Sequence, residues 1–335
     1  MSDKTPLTMA DVAARAGVAE STVSRALADN PLVAEKTRLR IQKLAAELGY
    51  SINPVAQSLR SQKTRVVAVA VPLLHESSQP LSDPFMMGMV AQLADALAAR
   101  GYSMLLSKVP VHEEDWIGRL LQPGRADGVI LIGQSFEHAT INDASRRGKA
   151  VVAWGAQLPE QDYASVGTDN RLGGELATSH LLQRGRRRIA FLGDERLPEV
   201  GQRYEGHIQA LRQLGFAPDP ELLARSHFRA EDALDDIRAF VTAHPDIDGI
   251  VAASDVIANS AIRALTEAGR RVPDEVSIVG YDDIELASYA HPPLTTVRQD
   301  LAEGARLLVE RVLSGETNVA QSVAMTPALI IRQSS

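Results

Sequence analysis

The chain has 335 residues, of which 45% are hydrophobic and 23% charged, and this globular balance excludes wholesale disorder and collagen-like repeats. It contains no cysteine, which excludes disulfide scaffolds, thiolate metal sites and cysteine nucleophiles. At about 150 residues per domain, the length predicts two or three folding units.

The net charge of −7 is unevenly distributed. Residues 1–63 carry nine Lys and Arg against six Asp and Glu, a net +3, whereas the remainder carries −10. A small basic segment on a large acidic body is typical of a polyanion-binding module fused to another domain. No apolar run approaches 18 residues and residues 1–10 contain no signal-peptide core, so we expect a cytoplasmic protein with no membrane partner.

Residues 8–50 predict three short helices. Thr8 followed by Asp11 forms a capping box that opens the first, and Gly17 suits a turn with positive φ. Gly49 is the expected stop of the third. The expected helices cover about residues 8–16, 20–28 and 34–48.

The first two helices have the spacing of a helix-turn-helix, whose second helix enters the DNA major groove. That helix would present Glu20, Ser21, Ser24 and Arg25. Arg25 can pair bidentately with a guanine edge, and Glu20 can accept from a cytosine amino group. The alternative is a plain three-helix bundle with a solvated charged face.

Residues 53–63 predict a linker that contains a short helix. Asn53-Pro54 is an N-cap followed by a first-turn proline, and residues 55–61 could make two turns. A helix of this length is marginal without a partner, which indicates folding that is conditional on binding.

From Arg65 onward, short apolar runs alternate with amphipathic helical stretches. Continuous apolar strands separated by helices predict parallel sheets that are covered on both faces. The strands are too numerous for one sheet, so we expect an α/β body of two doubly wound parallel-sheet lobes with a cleft between them. The expected strands are residues 66–71, 104–109, 128–132, 150–154, 189–192, 249–252 and 276–279.

Several segments together resemble the LacI/GalR family of bacterial transcription regulators. They are residues 8–18 (TMADVAARAGV), 22–27 (TVSRAL), 33–38 (VAEKTR), 48–50 (LGY) and 55–60 (VAQSLR). The resemblance implies a homodimer, or a tetramer of dimers, on a pseudo-palindromic double-stranded operator. With no heptad tail after Gln333, we favour the dimer. It also implies three parts: an all-α DNA-binding head at 1–52, a hinge helix at 53–63, and an effector-binding and dimerisation domain at 64–335. That domain has two lobes, and the chain is expected to cross between them more than once.

The resemblance assigns a set of DNA contacts in the head and hinge. Leu59 takes the position of a leucine wedged into the minor groove, where an apolar side chain unstacks a base step and kinks the duplex. Without the resemblance, ordinary core packing is the simpler interpretation of Leu59. Ala19 departs from the Ser or Thr expected at the N-cap of the second helix, and Ser21 could compensate. The expected DNA contacts are Thr8, Glu20, Ser21, Thr22, Ser24, Arg25, Asn30, Val55, Ala56, Leu59 and Arg60.

The body resembles type I periplasmic sugar-binding proteins. A guanidinium and a carboxylate can each form hydrogen bonds with two sugar hydroxyls, and aromatic rings can cover the apolar face of a sugar. The alternatives are that Phe85 is core, that Arg203 caps a helix and that Asp282 forms a structural pair. The expected effector contacts are Asp83, Phe85, Gln134, Trp154, Arg203, Phe228, Ser254 and Asp282.

No catalytic, metal or cofactor motif is present, including the nucleophile elbow, the Walker A loop, H-E-x-x-H and G-x-G-x-x-G. Asp282, Asp283 and Glu285 could suggest acid/base work, but no partner nucleophile or acid stands at a defined spacing. The favoured hypothesis is therefore a repressor that a small sugar or glycoside releases from its operator. The alternatives are a corepressor-dependent, purine-type repressor and a sugar-binding protein without a DNA function.

Overall fold

The computed structural model describes residues 7–50, 63–72, 80–109, 115–135 and 137–335. The described chain divides into two compact units, Met1–Thr64 and Arg65–Ser335. We refer to them as the head and the body.

Within its described residues, the head has three helices around a small core. They are α1 (Met9–Ala16), α2 (Glu20–Leu27) and α3 (Glu35–Glu47). Val12, Val23 and Ile41, one from each helix, are fully buried in this core. The side chains of Arg40 and Gln42 on α3 donate to the carbonyl groups of Ala16 and Ala26, and they tie the third helix to the ends of the first two.

The predicted start and end of α1 are confirmed. Thr8 Oγ1 accepts from the Asp11 amide at 3.3 Å, and the Thr8 amide donates to Asp11 Oδ2 at 2.8 Å. Gly17 ends the helix with a φ of 67°. This left-handed conformation is unfavourable for any residue that has a Cβ atom. These two local signals fix the angle at which the chain turns from α1 into α2.

In the part of the body that the structure describes, there are two six-stranded sheets, each flanked by helices. The first sheet has the strand order β11-β5-β4-β3-β1-β2 and is parallel throughout, and the second has the order β12-β10-β9-β8-β6-β7 and is parallel except for β12. The strands are β1 (Val66–Val71), β2 (Ser103–Lys108), β3 (Gly128–Ile132), β4 (Val151–Trp154), β5 (Ala164–Thr168), β6 (Ile189–Leu192), β7 (Leu223–Ala224), β8 (Gly249–Ala252), β9 (Ser277–Asp282), β10 (Thr295–Arg298), β11 (Val323–Met325) and β12 (Ala328–Ile330).

Each sheet with its helices forms one lobe, and the expected two-lobed α/β body is confirmed. The chain passes between the lobes three times, after β5, after β10 and after β11. The body helices are α4 (Pro84–Ala98), α5 (Trp116–Leu120), α6 (His138–Arg146), α7 (Asn170–Gln183), α8 (Pro198–Gln213), α9 (Ala230–Ala243), α10 (Asp255–Glu267), α11 (Glu285–Tyr289) and α12 (Leu301–Ser314), with short 3₁₀ turns at Pro220–Leu222 and Val319–Gln321.

Helices α7 and α8 lie with their backbones in contact. A Cβ added to Gly174 of α7 would overlap the carbonyl oxygen of Arg203, and one added to Gly206 of α8 would overlap that of Arg171. Only glycine permits this approach at both points. The contact fixes the position of Arg203 within the second lobe, and it therefore matters for the site described next.

Candidate functional sites

The second helix of the head carries a polar, solvent-facing surface. Val23 and Ala26 are buried against the other helices, whereas Glu20, Ser21 and Arg25 are exposed. An exposed guanidinium with a hydroxyl and a carboxylate on one short helix can read base edges. The remaining expected contacts on this helix, Thr22 and Ser24, are half-buried.

The start of α2 lacks a side-chain cap. Ala19 occupies the N-cap position with no side-chain hydrogen bond, and the helix begins at Glu20. Ser21 lies inside the helix and does not replace the cap. Asn30, another expected DNA contact, accepts from the Leu32 amide at 2.9 Å and shapes the turn between α2 and α3.

Four expected hinge contacts, Val55, Ala56, Leu59 and Arg60, lie outside the described residues. Thr8, the other expected contact, is exposed and closes the capping box of α1. The described part of the head therefore supplies one candidate reading surface, on α2.

Within the body, the carboxyl ends of strands from both sheets border one cleft, of roughly 630 Å³ including the space open to solvent. This position, beyond the carboxyl edges of parallel strands, is where doubly wound sheets bind ligands. The cleft is lined by Pro72, Phe85, Met86, Ile132, Gly133, Ser135, Trp154, Leu197, Glu199, Val200, Arg203, Phe228 and Asp282. It brings together five of the eight expected effector contacts.

Three of these five are aromatic. Phe85 at the start of α4 and Trp154 at the end of β4 have ring centroids 6.3 Å apart with planes inclined at 48°. Phe228, from the second lobe, is 5% exposed. In a chain with 4% aromatic residues, three rings in one cleft give an apolar surface suited to the face of a ring-shaped ligand.

Arg203 and Asp282 supply charge in the same cleft. Arg203 Nε donates to Asn170 Oδ1 at 2.9 Å and Nη1 donates to the Ala253 carbonyl at 2.5 Å. Asp282 Oδ1 accepts from Gln299 Nε2 at 2.7 Å. Burial raises the pKa of Asp282 well above its ordinary value, and the charge of Arg203 acts in the opposite direction. Both side chains are buried and oriented by neighbours, so each can meet a ligand hydroxyl without reorganising.

Asp83 and Ser254 do not line the cleft. Asp83 caps α4, since its Oδ1 accepts from the amides of Phe85 at 2.9 Å and Met86 at 3.3 Å, and burial raises its pKa to about 6. Ser254 caps α10 by accepting from the Ile257 amide at 3.2 Å. Asp83 therefore positions α4, which borders the cleft, whereas Ser254 positions α10, which contributes no residue to the cleft lining.

Gln134 is fully buried behind the cleft wall. Its Nε2 donates to the Ala156 carbonyl at 2.8 Å and to the Tyr163 hydroxyl at 2.9 Å. Glu199 and Ser135, which do line the cleft, were absent from the expected set. A sequence signal for Glu199 existed: it precedes Arg203 by four residues on one helix, and that spacing puts both on one face.

Within the described residues, no cluster of three or more His, Asp or Glu side chains is arranged to hold a metal ion. No helix in these parts of the chain combines the length and apolar character needed to cross a lipid bilayer.

One chain contains both a helical head with an exposed reading helix and a two-lobed body with a ligand cleft. This combination is typical of ligand-responsive transcription regulators. The family model for bacterial regulatory proteins of the lacI family matches residues 8–53, and that for periplasmic binding protein-like domains matches residues 178–335. The chain is 34% identical over 336 residues to the HTH-type transcriptional regulator CelR of Thermobifida fusca, with 98% of each covered. It is 30% identical to the HTH-type transcriptional repressor CytR of Escherichia coli, over 99% of this chain and 97% of that protein.

Solved structures agree. A CelR–cellobiose complex superimposes with a TM-score of 0.71 at 31% identity, covering 98% of this chain and all of that one. A lac repressor dimer bound to operator and an anti-inducer superimposes with a TM-score of 0.85 at 26% identity, covering 98% and 99%. The chain belongs to the LacI family. It is a DNA-binding transcription regulator and not an enzyme.

Proposed function

We propose that the protein is a repressor that leaves its operator when a small sugar or glycoside enters the body cleft. The observation that carries the proposal is the convergence in that cleft of the Arg203–Asp282 pair with Phe85, Trp154 and Phe228. The pair can bind adjacent hydroxyls, and the rings can cover an apolar sugar face. The cellobiose-bound CelR structure, and a regulator from Enterococcus faecium with bound ribose at 26% identity, support this ligand class.

The proposed partners and parts follow the sequence-based assignment. Two protomers bind neighbouring half-sites of a pseudo-palindromic operator in the cytoplasm, and α2 of each head reads bases through Glu20, Ser21 and Arg25. The proposed parts are residues 1–52, 53–63 and 64–335. The hinge folds on DNA and inserts Leu59, and effector binding separates the two hinges. The fall in operator affinity is limited to the difference in effector affinity between the two states.

The test uses operator duplexes selected by the full-length protein from a random pool. Operator affinity is measured at roughly 50 and 200 mM salt, because a phosphate-contacting protein loses affinity steeply over this range. Addition of an inducing sugar, with cellobiose and ribose as probes, is expected to weaken operator binding by about tenfold or more. Arg203→Met is expected to remove the response while leaving ligand-free operator binding intact.

A second candidate is a corepressor-dependent repressor of the same fold. The observation that favours it is the presence of Trp154 and Phe228 in the cleft, because aromatic side chains also stack on purines. The same titration with hypoxanthine separates the two, because a corepressor tightens operator binding. Equal affinity for selected and random duplexes would contradict both.

A further inference from the structure

The turn between α2 and α3 carries the most exposed large hydrophobic side chain in the described part of the chain. Leu32 is 81% exposed, more than Tyr289 at 75% and Ile331 at 63%. A single exposed leucine is ordinary on a protein surface, so exposure alone assigns it no role. Two further features distinguish Leu32: it lies at the end of the reading helix, and its backbone is held in place.

The exposed face of α2 extends to the turn that carries Leu32. Ser21, Arg25 and Ala28 are exposed and follow one another at spacings of four and three residues, which places them on one face of the helix. Val23 and Ala26 lie on the opposite face, in the core of the head. The face that can meet DNA therefore runs from Ser21 to the C-terminal end of α2.

Beyond Ala28 the chain folds back over the last turn of α2. Asp29 has a left-handed φ of 55°. The Asn30 amide donates to the Arg25 carbonyl at 3.0 Å, and the Asp29 amide donates to the Ala26 carbonyl at 3.2 Å. This pair of bonds is the Schellman motif that ends many helices. It holds the start of the turn against the backbone of Arg25.

The backbone at Leu32 is restrained on both sides. The Leu32 amide donates to Asn30 Oδ1 at 2.9 Å, and the Val33 amide donates to the Asn30 carbonyl at 3.1 Å. Pro31 has a fixed φ, and Val33 is buried in the core of the head. An apolar side chain on a backbone that is already ordered loses less entropy when it contacts a partner.

The major groove offers such a side chain one kind of apolar group. Every base pair presents hydrogen-bond donors or acceptors there, and only thymine adds a methyl group, at C5. Leucine has no polar atom with which to read the other groups. Contact between Leu32 and a thymine methyl removes apolar surface from water, and burial of one methyl-sized group is worth about fourfold in affinity.

We propose that Leu32 is a specificity-determining residue whose side chain contacts the C5 methyl of one thymine in each operator half-site. The inference rests on the proposed reading of bases by α2, and it adds an apolar determinant to the polar ones. It predicts a preference for thymine at a position that the contacts of Glu20, Ser21 and Arg25 do not explain.

The test removes the methyl group and nothing else. An operator duplex is selected from a random pool by the full-length protein. Each thymine of its half-sites is then replaced in turn by deoxyuridine, which keeps the base pair and every hydrogen-bonding group. At one position per half-site, loss of the methyl is expected to weaken wild-type binding about fourfold, and loss in both half-sites about sixteenfold.

Leu32→Ala identifies the side chain that contacts the methyl. The variant is expected to bind thymine and deoxyuridine duplexes equally at that position, because alanine is too short to reach the methyl. Leu39→Ala is the matched control, since Leu39 is a second exposed leucine of the same head, on α3, and is 57% exposed. Its variant is expected to keep the wild-type dependence on the methyl. Both leucines lie outside the core, so both variants are expected to fold.

Three results would overturn the assignment: a wild-type affinity that no single deoxyuridine changes, a Leu32→Ala variant that keeps the dependence on the methyl, or a Leu39→Ala variant that loses it equally. Wild-type affinities for the selected duplex and for a random duplex are compared in parallel. If this selectivity persists while the methyl test fails, only this inference falls; if the two duplexes bind alike, the proposed function falls with it.

Discussion

The guanidinium carbon of Arg203 lies 3.7 Å from the centroid of the Tyr281 ring. The Tyr281 hydroxyl donates to Asn170 Oδ1 at 3.3 Å, the same atom that accepts from Arg203 Nε. A cation over a ring with a shared acceptor holds the arginine in one orientation. Because Tyr281 directly precedes Asp282 in β9, the ring also fixes the spacing between the two charged groups of the cleft.

Arg203→Met is expected to reduce the free energy of unfolding by about 1–3 kcal/mol, because it leaves the buried Asn170 Oδ1 and Ala253 carbonyl without a donor. It also removes a positive charge that favours ionisation of the buried Asp282. The loss is measured by urea denaturation at about pH 8, where ionisation of the carboxylate costs most. Adding Asp282→Asn is expected to restore ~0.5–3 kcal/mol. A double variant whose loss is the simple sum of the two single losses would show that the groups do not interact.

Gly304→Ala is expected to displace the Trp154 ring, because a Cβ on Gly304 of α12 would overlap it. Overpacking of this kind costs about 1–3 kcal/mol of folding free energy. It is also expected to shift the tryptophan emission and to weaken binding of any ligand that stacks on Trp154. The matched control is Gly88→Ala on α4, whose Cβ would lie 3.3 Å from the flexible end of Leu301. A normal emission spectrum in Gly304→Ala would contradict the assigned packing.

Hydrophobic runs predicted the lobes well, and their limits have a physical cause. The strands at residues 66–71, 128–132, 189–192 and 249–252 were predicted to the residue, because each is a short apolar run buried on both faces. Strand β5 was missed for two reasons. Its sequence contains Ser, Gly and Thr, and one of the strands that it pairs with, β11, is distant in the chain. The Ser165 amide, for example, donates to Ser322 Oγ at 3.0 Å.

The cleft residues could be predicted where the chemistry of the side chain indicates its role, and not where only its position in the fold does. Arg203 and Asp282 could be predicted because they are charged residues that lie on elements next to the cleft. Asp83 looks equally functional in sequence, yet it caps a helix that begins at Pro84. Helix α8 begins at Pro198, because proline suits the first turn of a helix, and Glu199 in that turn faces the cleft.

Arg25→Ala is expected to reduce discrimination between operator and random duplex by about 1–3 kcal/mol, the value of one bidentate guanine contact. Selectivity is measured at fixed salt, so that a general loss of phosphate attraction does not imitate it. Lys43→Ala on α3 is the control, because Lys43 is an exposed cation paired loosely with Glu47 at 3.9 Å. Unchanged selectivity in Arg25→Ala would remove Arg25 from the reading surface.

Ala19→Ser is expected to stabilise α2 by about 1 kcal/mol, because the N-cap position has extended dihedrals, φ −68° and ψ 150°, and no side-chain acceptor. Hydrogen exchange of the α2 amides in the full-length protein measures the gain. Thr8→Ala is the opposite control, since it removes an existing cap and is expected to cost about 1 kcal/mol in α1. Faster exchange in Ala19→Ser would contradict the assigned start of α2.

Asp255→Asn is expected to reduce the dependence of stability on pH. Asp255 is fully buried, its Oδ1 accepts from Thr296 Oγ1 at 2.6 Å and its Oδ2 from the Ile284 amide at 2.9 Å, and burial raises its pKa to about 7. Asp283 acts in the same direction on this pKa and Arg332 against it.

The sign follows from the direction of the shift. In the unfolded chain the Asp255 carboxyl ionises near its ordinary pKa of 3.8, whereas in the folded chain it keeps its proton until about pH 7. The unfolded state therefore binds fewer protons across this window, and the free energy of unfolding falls as pH rises from about 4 to 7 and then levels off. Asparagine carries no charge; its oxygen can accept from the Ile284 amide and its nitrogen can donate to Thr296 Oγ1. The stability of Asp255→Asn relative to wild type, measured by urea denaturation, is thus expected to increase across that window by up to about 4 kcal/mol. A difference that stays constant with pH would show that Asp255 ionises in the folded protein as it does in the unfolded chain.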